Sequence, residues 1–149
     1  MTAITQSATA RRVSQRPITG HIADDVLGFG HDYKSIADLV QLSKDDLSKI
    51  ADVSKASVRF DQNIPQPVAE RLREIANIAN HVAEFFKGDR DKVSLWFELR
   101  NPMLGNISPR NLIRAGRYKR LLNFILDARE AEQAAQRETT TDSRKTSSR

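Results

Sequence analysis

Residues 68–86, VAERLREIANIANHVAEFF, decide the fold class of this chain. Their apolar side chains recur at alternating steps of four and three, which is the period of an amphipathic α-helix with one buried face. Lys87 and Gly88 follow, and a cation with a glycine beyond it is typical of a helix end. No segment has the apolar–polar alternation of a β-strand. The sequence therefore predicts an all-α protein.

Upstream, residues 43–60, SKDDLSKIADVSKASVRF, predict two short helices joined by a tight turn. Ser43 followed by Asp46 is a capping-box-like start for the first helix. Asp52 interrupts the apolar stripe, and Ser54 is placed to cap a second short helix. Two short helices at such a turn have the helix-turn-helix geometry, whose second helix can enter the major groove of DNA.

The candidate DNA-binding residues lie on that predicted second helix. Its exposed hydroxyl and cationic side chains suit phosphates or base edges, and arginine is the commonest bidentate reader of guanine. These residues are Ser54, Lys55, Ser57 and Arg59. The alternative is that Lys55 and Arg59 are simply solvated surface cations.

The rest of the pattern divides the chain near Gly88. We expect a short helix in 21–29, a helix in 32–42 starting near Ser35, and a further helix from Asp89 or Asp91. The predicted organisation is a flexible N-terminal tail, a helix-turn-helix unit, a second helical unit and a disordered C-terminal tail. Their boundaries are 1–20, 21–88, 89–135 and 136–149.

Composition argues against several classes of function. The chain has no cysteine, so disulfides and cysteine metal sites are excluded. The three histidines, His21, His31 and His81, lack the spacing of a metal site and are predicted to lie at the surface. No nucleophile–base signature is present, so we expect neither catalysis nor a cofactor. There is no secretory signal and no apolar run long enough to span a bilayer, which favours a cytoplasmic protein.

Positive charge is concentrated in the second unit. Residues 91–130 carry eight basic and four acidic side chains, whereas residues 31–90 are balanced to within one charge. In the same unit, large apolar residues at helical spacing predict a small core. They are Trp96, Phe97, Leu104, Ile107, Leu112 and Leu121. A second helical unit that is basic, beside a first unit of balanced charge, suggests a second partner. That partner is either a protein or more of the same nucleic acid.

Residues 95–125 contain a recognisable order of turn and cap residues. A Trp-containing helix is followed by Asn-Pro, a Leu-Gly turn, Ser-Pro, an aliphatic pair, a glycine and a closing amphipathic helix. The matching residues are Trp96, Asn101, Pro102, Leu104, Gly105, Ser108, Pro109, Leu112 and Gly116. This order resembles the C-terminal toxin-binding domain of the Xre/MbcA/ParS antitoxin family, and the upstream half resembles that family's Xre-like helix-turn-helix. The likeness covers roughly residues 36–130.

The resemblance implies a type II antitoxin. Such proteins block a RES-domain toxin that degrades NAD and is encoded by the adjacent gene, and they bind operator DNA to repress the shared operon, usually as homodimers. The implied toxin-binding residues in this sequence are Arg110, Asn111, Arg114, Arg117 and Tyr118. The alternative is a free-standing helix-turn-helix regulator without a toxin partner.

The sequence departs from the family's pattern at three positions. Asn106 and Arg117 stand where glycines are frequent, and Asp52 replaces the usual glycine of the helix-turn-helix turn. Asparagine adopts the left-handed backbone conformation more readily than other non-glycine residues, so Asn106 fits a glycine position. Asp52 makes the turn less standard, and DNA binding depends on that turn.

Overall fold

The computed structural model describes residues 22–147, with side chains as far as Thr140, so His21 and the predicted tail 1–20 lie outside the described residues. Within that part the fold is all-α and contains no strand, as predicted. The helices are α1 (Tyr33–Val40), α2 (Lys44–Ala51), α3 (Gln66–Phe85), α4 (Arg90–Glu98), α5 (Pro109–Arg114) and α6 (Tyr118–Ser147).

Local cap residues set most helix ends. The Ser43 hydroxyl accepts from the Asp46 backbone N–H, and the Asp46 carboxylate accepts from the Ser43 N–H, so the predicted capping box is present. Asp89 caps α4, which confirms the predicted start. The start of α1 differs, because Asp32 rather than Ser35 is its cap.

The helix α3 is the centre of the packing. Its buried face contacts α1, α2, α4 and α6. The core is one contiguous cluster that contains Ile36 and Leu47 from the first predicted unit and Phe97 and Leu121 from the second. The two predicted units therefore share a single hydrophobic core in this structure.

Parts of the fold differ from the sequence-based expectations. Residues 22–29 form no helix, because the Asp25 carboxylate accepts hydrogen bonds from the Phe29 and Gly30 backbone N–H groups and closes a loop instead. At the other end α6 continues through Gln136 to Ser147, into the segment predicted as a disordered tail. Ile107 was expected in the core, but it is 39% exposed.

Candidate partner-binding surface

The Asn-Pro…Ser-Pro segment folds into a closed turn between α4 and α5. The Asn101 side chain accepts from the Met103 N–H at 2.9 Å, and the Asn101 carbonyl accepts from the Asn106 N–H at 2.9 Å. The Asn101 N–H donates to the Ile107 carbonyl at 3.2 Å. Gly105 (φ 77°) and Asn106 (φ 63°) are both left-handed, which confirms that asparagine fits this glycine position. These bonds fix the turn before any partner binds.

The Ser-Pro pair anchors α5 to the core. The Ser108 hydroxyl accepts from the Asn111 N–H at 3.2 Å, and Pro109 is the first helical residue, as predicted. Ser108, Leu112 and Ile113 are buried. The short helix α5 is therefore held in a fixed orientation, which decides where its polar side chains point.

Two of the predicted toxin-binding arginines are engaged by the first half of the chain. Arg114 Nε lies 3.2 Å from Asp46 Oδ2, and its Nη2 donates to the Gln41 carbonyl at 3.4 Å. Arg110 Nη1 donates to Gln41 Oε1. Both side chains tie α5 to the turn between α1 and α2, so a partner would have to compete for them.

The Arg114 contact affects the ionisation of Asp46. Burial of the carboxyl by itself raises its pKa, but hydrogen bonds from Ser43 and the charge and hydrogen bond of Arg114 outweigh burial. The net result is that the pKa of Asp46 lies below its ordinary value. The carboxylate is thus stabilised by groups from both halves of the chain.

Tyr118 is also bonded to a residue in the first half of the chain. Its hydroxyl accepts from Arg71 Nη1, and the Arg71 guanidinium lies 5.1 Å from the centre of the Tyr118 ring. Arg71 also pairs with Glu74 at 2.9 Å. Tyr118 is half-buried and fastens the start of α6 to α3.

Asn111 and Arg117 are the two of the five predicted toxin-binding residues whose side chains make no bond to the first half of the chain. Both are exposed, and the Asn111 side-chain oxygen accepts from Arg114. Arg117 follows Gly116 (φ 75°) in the tight turn before α6, and within the described residues its side chain has neither a hydrogen bond nor an ion pair. Lys119 and Arg120 are also exposed and continue the positive charge along α6.

Sequence reasoning missed an exposed apolar surface on α4 and the following turn. Leu95 is 50% exposed, Leu99 55% and Met103 77%, and Ile107 lies nearby in sequence. The available signal was the placement of Leu95 and Leu99 four residues apart, on the side of α4 opposite the buried Phe97.

A groove lies between the loop 22–30, α3 and the start of α6. It has a volume of about 470 Å³ and is bordered by Tyr118 and Lys119 at the start of α6. The side-chain oxygens of Asn77 and Asn80 accept from loop backbone N–H groups at 2.8 and 3.0 Å, and this holds the loop against α3. The groove thus adjoins the positively charged start of α6.

The predicted DNA-binding segment does not form a second helix. Only a single 3-10 turn, Lys55–Ser57, is present, and Ser54 makes no side-chain cap. The Ser54 and Ser57 hydroxyls bond each other at 2.5 Å instead. Val58 has an extended backbone and a buried side chain. The helix therefore ends before Val58, and the chain turns toward the core. The expected short helix is therefore wrong, although its polar side chains are exposed as predicted.

The charges of this segment are also partly neutralised. Arg59 Nη2 lies 2.6 Å from Asp61 Oδ2, and the hydrogen bonds of Arg59 keep the pKa of Asp61 below its ordinary value. The turn residue Asp52 is left-handed with φ 55°, so it adopts the conformation that glycine usually supplies there. The turn is therefore formed even though the helix after it is not.

The pair α1 and α2 is joined by a three-residue turn, Gln41–Ser43, which is the connection length of a helix-turn-helix. However, the first turn of α2 contains Asp45 and Asp46 after Lys44, and Arg114 lies against Asp46. Acidic side chains in the first turn would repel DNA phosphates. These two carboxylates make the first turn of α2 less suited to DNA contact.

His81 was expected at the surface, and that expectation is wrong. The side chain is 1% exposed, because it lies on the face of α3 that α6 covers. Its Nδ1 is 2.6 Å from Arg129 Nη1, and Arg129 also pairs with Glu84 at 2.5 Å. His31, by contrast, is exposed. Within residues 22–140 no three side chains of the metal-binding types come together.

In the described part of the chain, no helix is both long enough and apolar enough to cross a bilayer. No protein-family model matches the chain, and no solved structure matches it significantly.

Curated relatives do match. The chain is 33% identical over 88 residues to the mycobacterial cidal antitoxin MbcA of Mycobacterium tuberculosis, and it matches the MbcA of Mycobacterium bovis equally well. The match covers 56% of this chain and 76% of the relative. An alignment of that extent and identity reflects common descent, so this chain belongs to the antitoxin family of MbcA.

Proposed function

We propose that this protein is the antitoxin of a type II toxin–antitoxin pair and acts by binding, without catalysis of its own. The identity to MbcA over most of that antitoxin's length carries the proposal. The partner we propose is a RES-domain, NAD-degrading toxin encoded by the adjacent gene. The antitoxin blocks the entrance to the toxin's active site, and it acts as a homodimer within a larger complex.

Among the predicted toxin-binding residues, Arg117 is the strongest candidate for direct contact. It is exposed and unpaired within the described residues, whereas Arg110, Arg114 and Tyr118 already bond Gln41, Asp46 or Arg71. A guanidinium without an internal partner can give its hydrogen bonds to a carboxylate or carbonyl of the toxin without breaking the fold.

The test measures NAD consumption by the purified adjacent-gene product with increasing amounts of the full chain. We expect stoichiometric inhibition by the wild type and weaker inhibition by Arg117→Glu. Arg59→Glu, an exposed arginine in the other half, is the matched control and should inhibit normally. If the full chain neither binds the gene product nor inhibits it, the proposal is wrong.

Repression of the operon is the second part of the proposal. The candidate residues Ser54, Lys55, Ser57 and Arg59 are exposed on one short segment, which supports contact with DNA. A single 3-10 turn offers less surface to a major groove than a recognition helix does. This favours toxin binding over the alternative of a free-standing regulator.

A further inference from the structure

Two arginines on the polar side of α5 are bonded to one short stretch of the first half of the chain. Arg110 Nη1 donates to Gln41 Oε1, and Arg114 Nη2 donates to the Gln41 carbonyl at 3.4 Å. Arg114 Nε donates to Asp46 Oδ2 at 3.2 Å. We call these three bonds the α5 clasp. Its acceptors are an amide oxygen, a backbone carbonyl and a carboxylate, which are the groups that a protein partner would also offer to an arginine.

The clasp lies at the surface and is easily opened. The side chain of Arg114 is 39% exposed and that of Asp46 is 19% exposed. Both bonds of Arg114 are longer than the common N–H···O distance of about 2.9 Å. An ion pair of this kind contributes little to stability, because solvent screens it. An external acceptor can therefore replace the internal ones while the core stays folded.

The clasp also satisfies the arginines incompletely. Arg110 Nε is buried and has no hydrogen-bond partner within the described residues. Asp46 Oδ2 is shared, because it accepts from the Ser43 backbone N–H at 3.0 Å as well as from Arg114. A guanidinium can give two parallel bonds to a carboxylate that is not otherwise occupied. A carboxylate from outside the chain can thus bond these arginines better than Asp46 does.

We propose that Gln41 and Asp46 are internal competitors that occupy Arg110 and Arg114 until the toxin binds. The inference rests on the proposed function, in which both arginines belong to the toxin-binding surface. The toxin group that displaces Asp46 is a carboxylate, since this is the acceptor that Arg114 has in the single chain and the one that fits its planar fork best.

The competitor has an effect of definite sign on affinity. Toxin binding must first open the clasp, so the closed clasp lowers the apparent affinity of the single chain. Substitutions that remove the internal acceptors should therefore strengthen toxin binding. A clasp that merely held α5 in its binding orientation would have the reverse effect, because its loss would loosen α5 and weaken binding. The sign of the change distinguishes the two roles.

The experiment measures the affinity of the full chain for the purified adjacent-gene product by isothermal titration calorimetry. Asp46→Asn removes the charge but keeps an acceptor for the Ser43 N–H. Gln41→Gly removes the amide acceptor and suits the left-handed backbone at this position, where φ is 59°. Each variant should bind about two- to fivefold more tightly than the wild type, which is the size expected for a screened ion pair.

A matched control is the neighbouring carboxylate. Asp45 pairs with Lys49 at 3.0 Å and not with an arginine, so Asp45→Asn should bind the toxin as the wild type does. In an Arg114→Ala background, Asp46→Asn should no longer change the affinity, because the arginine for which it competes is gone. Circular dichroism checks the fold of each variant.

The outcomes separate this inference from the proposed function. A wild-type chain that does not bind the gene product overturns both. If the wild type binds, and Asp46→Asn and Gln41→Gly bind equally well or more weakly, the competitor is wrong and the antitoxin function stands. Tighter binding by Asp46→Asn that persists in the Arg114→Ala background would also overturn the competitor, since the gain would not come through the clasp.

Discussion

Asp46 is one of the residues through which the two halves of the chain contact each other. It caps its own helix through Ser43 and receives Arg114 from α5. Its side chain is 19% exposed, so its interactions are screened less by solvent than those of a fully exposed pair. A substitution of Asp46 should therefore weaken both the N-terminal cap of α2 and the contact between α2 and α5.

We expect the stabilisation from Asp46 to depend on pH. Because folding lowers the pKa of Asp46 below its ordinary value of 3.8, the charged form stabilises the fold. That contribution is fully present above about pH 5, and it is lost as the pH falls through the lower pKa of the folded state. The difference in the free energy of unfolding between wild type and Asp46→Asn should be largest near neutral pH and shrink below about pH 4.

Urea denaturation of both proteins at a series of pH values measures this difference. The same comparison in an Arg114→Ala background is the control, and there the pH-dependent difference should be smaller because one source of the lowered pKa is gone. A difference that stays constant between about pH 7 and about pH 3 would contradict the assigned role of the carboxylate.

At the scale of single residues, contacts between sequence neighbours can be predicted from the sequence, whereas contacts between distant residues cannot. The caps Ser43, Asp89 and Ser108 could be predicted because a cap bonds a backbone N–H two or three residues ahead. The bonds of Arg110 and Arg114 span 69 and 68 residues. No periodicity encodes such pairs, so the bonding partners of these two arginines could not be predicted.

At the scale of elements, the segment after α2 has the residue pattern of a short α-helix, but only a 3-10 turn forms there. Ser54 has the residue type of a cap, but its hydroxyl bonds Ser57, and the buried Val58 pulls the chain inward. Tertiary burial of one valine therefore outweighs the local preference.

If this segment binds operator DNA, Arg59 must exchange Asp61 for the nucleic acid. Arg59→Ala should then weaken operator binding by about 1–3 kcal/mol. Asp61→Asn should strengthen binding, because it removes a negative charge and releases the guanidinium. Fluorescence anisotropy with the labelled upstream region of the operon measures both, and Lys34→Ala is the control. Equal affinity of all these proteins would show that the segment does not contact DNA.

The C-terminal part of α6 is attached differently from its first part. Leu121 and Ile125 are buried in the core, whereas residues 130–140 are exposed. Between them Arg129 contacts His81 and Glu84. The sequence could not distinguish this exposed helix from a disordered tail, because residues 136–149 contain no apolar side chain to mark a packed face.

We predict that the residues of α6 after Arg129 contribute little to the free energy of unfolding. Arg129→Ala should lower the free energy of unfolding by about 1–3 kcal/mol, because it leaves the buried His81 and the Glu84 carboxylate without this partner. Deletion of residues 138–149 should shift the melting temperature by less than about 2 °C. Thermal unfolding followed by circular dichroism compares the two, and a larger loss from the deletion would place a stabilising contact beyond Arg129.

For the molecule as a whole, the division near Gly88 does not separate two cores. The sequence suggested it because a helix end and a change in charge coincide there. In the structure Lys87 and Gly88 form a tight turn, and α4 folds back onto α1 and α3. The single core results from the packing of α3 against helices from both halves of the chain. No local stretch of sequence predicts that packing.

A single core predicts a single unfolding transition. Trp96 is the only tryptophan and lies in the second half, so its fluorescence reports on that half, whereas circular dichroism reports on all helices. The two signals should give the same midpoint in urea. Residues 89–149 alone should show no cooperative transition, because Val93, Phe97 and Leu121 would lose their neighbours on α1 and α3. Two separate midpoints, or a fragment that unfolds cooperatively, would mean that each half has its own stable core, and toxin binding could then be assigned to the second half alone.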